Sequence, residues 1–570
     1  MKKIFYCAAV GTLLLATTSC EDMLSPESDL VMYEEDNQLN SVNDTLFSVI
    51  GVVNLMQKVA DKTNLLGEVR GDLVTVTADA TTDLQALANF TADVNNAYNQ
   101  PQDYYAIINN CNYFIETADT TYTKRGKKVF EREMAVMHTF RAWAYLQLAI
   151  NYGQVPFYTQ FLGTENDAQE VMKQPYKGIT EICNWLIDDL SPWATVLPLS
   201  YGTPGGLPSE KFFIPTRLML GELCLWSGRY QEAAQWYHDF LTNTDDPRPI
   251  TTSNAAYWST ATNPSTMIFS SHSNAFSQSS SEWLTFIPME SNVFDGTVSY
   301  LQDLYNSTSE NYYFYELTYS QALVDLSASQ SYYYVYEENH VRDTVCMTSD
   351  SIVNNLITDD KQVGDLRLFA IASAQSLNNS GTSKYNDTYQ NIRKFQSDHV
   401  CLYRLPIIYL HYAEALNRAG FPTAAFAVLK YGLSNETLNR TTGNPINADE
   451  LANIGNLITF SSYIFTASNT WGIHARGCGD VEANPEYEIP ILTSASDTTQ
   501  WVEDRIIEEL ALEGCFEGQR YYDLLRVALR RNDANYLASR IGRRNGSSRV
   551  DATLTTKLLQ PSNWYLPLRE

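Results

Sequence analysis

The chain has 570 residues, enough to bury a large core, and its 66 acidic against 39 basic side chains give a formal net charge of -27. So acidic a protein repels nucleic-acid phosphates, which excludes a nucleic-acid partner. Its 9 cysteines show no CxxC spacing, so neither a zinc ribbon nor a dithiol redox site is expected.

In chain order, Lys2 and Lys3 precede an apolar run, Ile4 to Ala16, broken only by Gly11 and Thr12. The run fits a secretory signal and falls short of the ~20 residues a spanning helix needs. Thr17, Thr18, Ser19 and Cys20 follow, and this resembles a bacterial lipobox. The resemblance implies that residues 1–19 are a signal peptide and that Cys20 carries lipid. Several acyl chains at ~0.8 kcal/mol per buried methylene anchor a protein where one would not. Glu21 and Asp22 are similar to the acidic address of Bacteroidetes surface lipoproteins. No later stretch is apolar enough to span a bilayer. Without Cys7 and Cys20 an odd number of cysteines remains, so not all can pair, and Cys111, Cys183, Cys224, Cys401 and Cys515 are expected as buried thiols.

Residues 104–118, 130–152, 176–190 and 503–529 carry helical apolar spacing, the last broken near Gly514 to Gly518. Two stretches, 217–241 and 404–432, repeat one pattern. Gly228 and Gly420 break each in the middle. Aligning them sets Gly221 on Ala413 and Ala233 on Ala425. Small residues let paired helices approach, which is the logic of the tetratricopeptide hairpin. The fold class is therefore mostly α, with tetratricopeptide-like hairpins forming a scaffold over about 40–241, 404–432 and 503–530. Between them, about 242–403 and 433–499 read as large irregular loop insertions, where sites tend to sit. Residues 20–570 are expected to form one domain.

The order of motifs resembles the SusD/RagB family over nearly the whole chain. After the lipobox come Glu68 and Asp72 in LGEVRGD, then Tyr105, Ile108 and Asn112 in YYAIINNCN. Tyr152-Gly153 with Val155-Pro156 closes the run RAWAYLQLAINYGQVPFY, and IIYLHYAEALNRAG follows at Ile407 to Gly420. Glu517, Gly518, Arg520, Asp523, Leu524 and Arg526 match a Glu-Gly-x-Arg-x-x-Asp-Leu-x-Arg signature, and WYLPLR from Trp564 resembles the family's closing strand. The family often has a tryptophan where this chain has Pro101. The resemblance implies a cell-surface lipoprotein anchored to the outer membrane through Cys20. It captures oligosaccharide for a SusC-like TonB-dependent transporter and is not an enzyme. Peptide binding is the alternative within the family, and a surface glycoside hydrolase is the weaker one.

The residues themselves favour a binder. Sugar rings stack their C–H faces on aromatic planes, and the chain has 37 tyrosines and 10 tryptophans. Trp283, Tyr312, Tyr313, Tyr315 and Trp471 lie in the insertions and are candidate ligand contacts. Asn95, Tyr98 and Asn99, from the loop before the Tyr–Ile–Asn helix, are the polar candidates. A glycosidase would need two carboxylates roughly 5–10 Å apart. The densest acidic group, Glu508, Glu509, Glu513 and Glu517, continues instead into Arg520, Asp523 and Arg526 at spacings that suit local ion pairs. The seven histidines are scattered and no DxDxDG loop is present. No metal or other cofactor is therefore expected, and structural calcium has no motif behind it. Arg526, Arg530, Arg531, Arg540, Arg543, Arg544 and Arg549 form a basic run that reads as a solvated surface or as a patch for the transporter.

Overall fold

The computed structural model describes residues 42–568, except 244, 251–255, 260–267, 272–277, 293, 295, 307–313, 339–340, 348–363, 377–387, 396, 442, 444 and 467–470. Cys20, the signal peptide, Tyr312 and Tyr313 lie outside the described residues. Eleven helices carry the argument: α1 Val42–Glu68, α2 Pro101–Thr117, α3 Glu131–Tyr152, α4 Ile179–Leu190, α5 Thr216–Ser227, α6 Tyr230–Leu241, α7 Leu405–Arg418, α8 Pro422–Tyr431, α9 Ala495–Gly514, α10 Arg520–Arg531 and α11 Ala534–Gly542. Short strands accompany them: β1 Val74–Val76, β2 Thr123–Lys124, β3 Lys127–Lys128, β4 Trp283–Ile287, β5 Leu317–Tyr319, β6 Tyr332–Glu338, β7 Val341–Met347 and β8 Val400–Arg404. Among the described residues no helix is long and apolar enough to cross a membrane.

Both repeated stretches are helical hairpins. Gly228 turns α5 into α6 with a left-handed φ of 83°, a conformation that costs glycine nothing. At Gly221 a methyl group would come within 2.6 Å of the Tyr237 ring, so only glycine admits the close approach of α6. The second hairpin, α7 and α8, buries Ala413 and Ala425 completely. α7 then packs on both α6 and α9, so the hairpins stack and cover each other's apolar faces.

The motifs that carry the family resemblance meet one another in space. Glu68 at the end of α1 accepts hydrogen bonds from the backbone N–H groups of Gly518 at 2.8 Å and Gln519 at 3.3 Å, just ahead of α10. Asp72 pairs with Arg520 at 2.6 and 3.0 Å. Tyr105 donates to the Pro156 carbonyl at 2.9 Å, and Asn112 accepts from Arg141 at 2.8 Å. These residues fasten helix to loop and need no ligand to explain them.

Burial pushes the Glu68 carboxyl up to about 7, against the lowering effect of its backbone donors. The folded state therefore holds this proton more tightly than the unfolded chain, whose carboxyl titrates near 4.5. Its contribution is complete below pH 4.5 and is lost as pH rises through 7, roughly 3 kcal/mol in all. Glu68→Gln is expected to flatten the fall of urea stability between about pH 5 and 8. An unchanged slope would place the titration elsewhere.

Several expectations need correction. The insertion about 242–403 is not all irregular: β6 pairs with β7 as an antiparallel hairpin, and β4 pairs with β8. Tyr332 and Tyr333 are buried there. The described part of the closing motif, 564–568, is no strand. It follows a short turn at Pro561–Asn563 and is held by Leu566 N–H to the Asn151 carbonyl at 2.9 Å. Helical scaffold also runs beyond 530, through α11 and the helix Ala552–Leu558.

The acidic group on and just after α9 does form ion pairs, but apart from Glu508 with Arg505 its partners come from far along the chain. Glu513 meets Arg404 at 2.7 Å, Arg476 at 3.2 Å and Arg367 at 3.4 Å, and all four side chains are buried. Glu509 takes Arg367 and His474, each at 2.7 Å, and Glu517 takes Lys394 and Arg404. Glu282 on the loop before β4 bridges Arg404 and Arg476 at 3.0 Å. The predicted local pairing survives only in part, as Asp523 with Arg526 at 2.8 Å. Side chains on one helix face that is buried meet whatever packs on that face, so tertiary partners replace sequence neighbours.

Candidate functional site

The loop before α2 is built on asparagine. Asn96 accepts from Tyr98 N–H at 3.0 Å and donates to the Asp83 carbonyl at 3.0 Å, while Asn95 N–H donates to Asp93 at 2.8 Å. Such side-chain-to-backbone bonds fix a turn that carries no ladder. They present Asn95 exposed and Tyr98 half-buried. Pro101 sits in the first turn of α2 and starts the helix. It is buried, so nothing stacks there in place of a tryptophan.

A second strip of chain lies against this loop. β1 and β5 pair antiparallel, Val76 opposite Leu317. Ahead of β5, Tyr315 takes a left-handed φ of 49°, and its carbonyl accepts from Thr77 at 2.6 Å. Glu316 accepts from Thr81 N–H at 2.7 Å. Burial, then the negative charges of Glu316 and Asp83, push the Tyr98 phenol up to about 12, with Thr81 hydrogen-bonding it in the opposite sense. Tyr98 is therefore a hydrogen-bonding phenol at any physiological pH.

The third strip is 298–303. Asp61 on α1 accepts from Ser299 Oγ at 2.6 Å and Tyr300 N–H at 2.7 Å. Burial raises the Asp61 carboxyl and both of those donors lower it. Asp61 also adds weakly to the negative field on Tyr98. The Asp303 carbonyl accepts from Phe314 N–H at 2.9 Å and Tyr315 N–H at 3.1 Å. Backbone bonds thus hold two aromatic rings outward: Tyr300 is 52% exposed and Phe314 is 52% exposed. Two exposed rings on adjoining stretches of chain offer an apolar face that a ligand can cover.

The surface therefore joins exposed aromatic rings (Tyr300, Phe314) to half-buried ones (Tyr98, Tyr315), edged by Asn95, Asp61 and Asp83, with Glu316 buried beneath them. It offers apolar faces with acceptors and donors at their rims.

Of the candidates named from sequence, Asn95, Tyr98 and Tyr315 come together here. Asn99 does not face out. It is buried, donates to the Asp93 and Pro567 carbonyls at 2.9 Å each and accepts from Tyr152 at 2.9 Å. Trp283 on β4 is 3% exposed, with its ring 5.8 Å from that of Phe286. It lines a small cleft with Ser299, His399, Lys394 and Glu517, and so buried a ring leaves no open face on which a sugar could stack. Trp471 belongs to the segment on α8, where its backbone lies against Gly432, and it does not join this surface. Tyr300 and Phe314 stand in the same aromatic-rich stretches as the candidates, and the structure places them beside Tyr315. Phe314 sits in the tyrosine-rich run, and nothing local separates it from the half-buried Tyr315 or the buried Tyr332 and Tyr333. Asp61 gave no signal, being one polar residue on an amphipathic helix.

The C-terminal arginines are not a patch. Arg526 is held by Glu414 at 2.9 and 2.6 Å, Arg530 and Arg531 by Glu503 at 2.6 Å, and Arg544 is buried against the Gly71, Val69 and Ala88 carbonyls. Arg543 and Arg549 remain exposed, too few for a docking surface. Among the described residues no group of His, Cys, Asp or Glu is arranged to hold a metal ion.

The whole architecture matches solved structures. It superposes on surface glycan-binding protein A from Bacteroides uniformis with a TM-score of 0.55 at 15% identity, over 93% of this chain and 96% of that one. A SusD homolog from Bacteroides thetaiotaomicron matches at 0.54 and 13% identity, over 94% and 95%. The chain has the fold of the SusD superfamily. A SusD-like carbohydrate-binding protein from Bacteroides fragilis gives 0.53 and 14% identity, over 87% and 88%. No protein-family model and no curated protein matches the sequence. Within the SusD-like fold, the surface just described is made by the loop before α2 and by the insertion that follows α6.

Proposed function

We propose that this SusD-like chain is a lipid-anchored protein of the outer cell surface that binds oligosaccharide on the Tyr98–Tyr300–Phe314 surface. It then delivers the sugar to a SusC-like TonB-dependent outer-membrane transporter and performs no chemistry on it. The observation that carries this reading is the pair of exposed rings, Tyr300 and Phe314, held outward by backbone bonds and edged by carboxylates. Such an edge suits sugar hydroxyls, which donate to carboxylates while the ring's C–H face covers the aromatic plane. The neighbours named for glycan or carbohydrate binding support the ligand class.

A hydrolase reading fares worse on its own chemistry. A general acid needs a carboxyl whose proton is retained near neutral pH. In the densest acidic cluster, burial would raise Glu509 and Glu513, but Arg367 and His474 hold the first down to about 2, and three arginines hold the second well below the usual carboxylate range; Glu508, which burial pushes up to about 7, is tied to Arg505 on its own helix.

Calorimetric titration of the unacylated chain against a panel of oligosaccharides tests the proposal, with chromatography of the same mixtures after long incubation. Saturable binding with the sugar recovered intact is expected. Release of shorter products would replace the binder with an enzyme, and binding of cationic peptides alone would move the ligand class.

A further inference from the structure

In a chain of net charge -27, one short element gathers positive charge and leaves it unneutralised. Between α2 and α3 the chain turns back as a two-stranded hairpin, β2 and β3, joined by Arg125 and Gly126. Both turn residues have positive φ, 53° and 75°, as a type I′ turn requires, and its twist matches that of the strands it joins. Lys124, Arg125, Lys127 and Lys128 thus stand on a tight, defined tip. Every residue from 119 to 128 is exposed. The base is fixed: Val129 N–H donates to the Tyr122 carbonyl at 3.1 Å, Asp119 holds Thr121 at 2.9 and 2.6 Å, and Tyr122 packs on Phe130 at 5.9 Å. Among the described residues no carboxylate forms an ion pair with any of the four cations, although the protein has a large excess of acidic side chains.

The position of this finger is set by helix directions. The C-terminal ends of α1 and α3 meet where Arg70 bonds Asn151, and α1 packs along α3, so the two helices run the same way. α2 runs against them: Thr63 of α1 touches Tyr104 at 3.1 Å, and Tyr152 of α3 donates to Asn99 at 2.9 Å. From Thr63 back to Val42, α1 covers about 30 Å, and from Tyr104 to Thr117, α2 covers about 20 Å in the same direction. The start of α1 and the basic finger therefore share one end of the bundle. That is the end from which the chain leads back toward Cys20. Tyr98 and the candidate ligand surface lie at the other end of α2.

We infer that the 123–128 hairpin is a membrane-facing contact that docks on phosphate-bearing lipid headgroups beside the tether and so orients the protein. The inference rests on the anchored-binder reading for the tether, not for the hairpin itself. Basic side chains near an anionic bilayer are each attracted over about one Debye length, ~8–10 Å. A projecting tip places four of them within that range while the acidic body stays outside it. The finger thereby turns the ligand surface away from the bilayer.

The test uses the full chain with Cys20→Ser, so that no lipid contributes. Its sedimentation with phosphatidylglycerol-rich vesicles is compared with that on pure phosphatidylcholine, at low and physiological salt. Binding to the anionic vesicles only, weakening with salt, is expected. Lys124→Ser with Arg125→Ser, then Lys127→Ser with Lys128→Ser, should each weaken it by about tenfold or more, with circular dichroism and glycan titration unchanged. No sedimentation at low salt would overturn the inference, and so would sedimentation indifferent to the four substitutions. Binding to transporter-bearing membranes but not to lipid vesicles would also overturn it and point to an acidic protein surface. Failure of glycan binding with vesicle binding intact would sink the proposed function and leave the hairpin's role standing.

Discussion

Glu513→Gln is expected to lower the stability of the fold by about 3–5 kcal/mol, read as a shift in the urea midpoint with an unchanged slope. Its carboxylate is the common partner of three buried guanidiniums, those of Arg404, Arg476 and Arg367. Removing one negative charge leaves those arginines short of a counter-charge where water cannot replace it. The same arginines tie three separate stretches to α9: the one around Arg367, the one leading from β8, and the one around Arg476. The loss should therefore loosen the insertions first, and amide exchange should rise at β4 and β8 before it rises in α5 and α6. A midpoint within 1 kcal/mol of the parent's would mean that the network is ornamental. The acid limb follows from the same geometry. Burial would raise Glu509 and Glu414, but their arginine partners bring both down to about 2. A depressed folded value contributes stability that is present above the unfolded value of 4.5 and is lost as pH falls toward 2. Together with the opposite behaviour of Glu68, this predicts greatest stability near pH 4.5 to 5.

Phe314→Ala combined with Tyr300→Ala is expected to weaken glycan binding by about a hundredfold or more, with the melting curve unchanged. Truncating an aromatic anchor at a binding surface costs on the order of 2 kcal/mol or more, about thirtyfold each. Both rings are more than half exposed, so little folding energy rests on them. Tyr98→Phe is the finer probe. It keeps the ring and removes the phenol that Thr81 hydrogen-bonds, so it should cost affinity mainly for sugars with a hydroxyl at that rim. Unaltered titrations for the double variant would remove this surface from consideration and leave the cleft beside Trp283 as the place to look.

Much of the helical scaffold was legible because it repeats. Apolar spacing of three and four places α2, α3, α5, α6, α7 and α8 within a few residues. Gly228 and Gly420 mark the turns because little else adopts positive φ there. The motif residues were legible too, but what they do was not. Glu68, Asp72 and Arg520 looked like local charge pairs or an acidic motif, and with Gly518 they are the contact between the end of the first helix and the last ones, some 450 residues apart, while Glu517 turns to Lys394 and Arg404. Asn99 looked like a ligand contact for the same reason, since a polar residue in a loop reads identically whether it faces water or a backbone carbonyl.

The amino-acid order alone determined which segments are helices, where they turn, that one stretch is rich in aromatic side chains and that the chain is acidic. Those properties depend on near neighbours, three or four residues away. Which tyrosines are outside was decided only by packing: Tyr332 and Tyr333 vanish into a strand, while Tyr300 and Phe314 are pushed out by bonds from Asp61 and Asp303. Likewise Arg526, Arg530 and Arg531 are neutralised by carboxylates and Arg544 by backbone carbonyls, while the four cations at 124–128 meet no carboxylate among the described residues because a two-residue turn carries them clear of the body. Burial and charge pairing are settled by distance in space, and the linear order does not contain that distance.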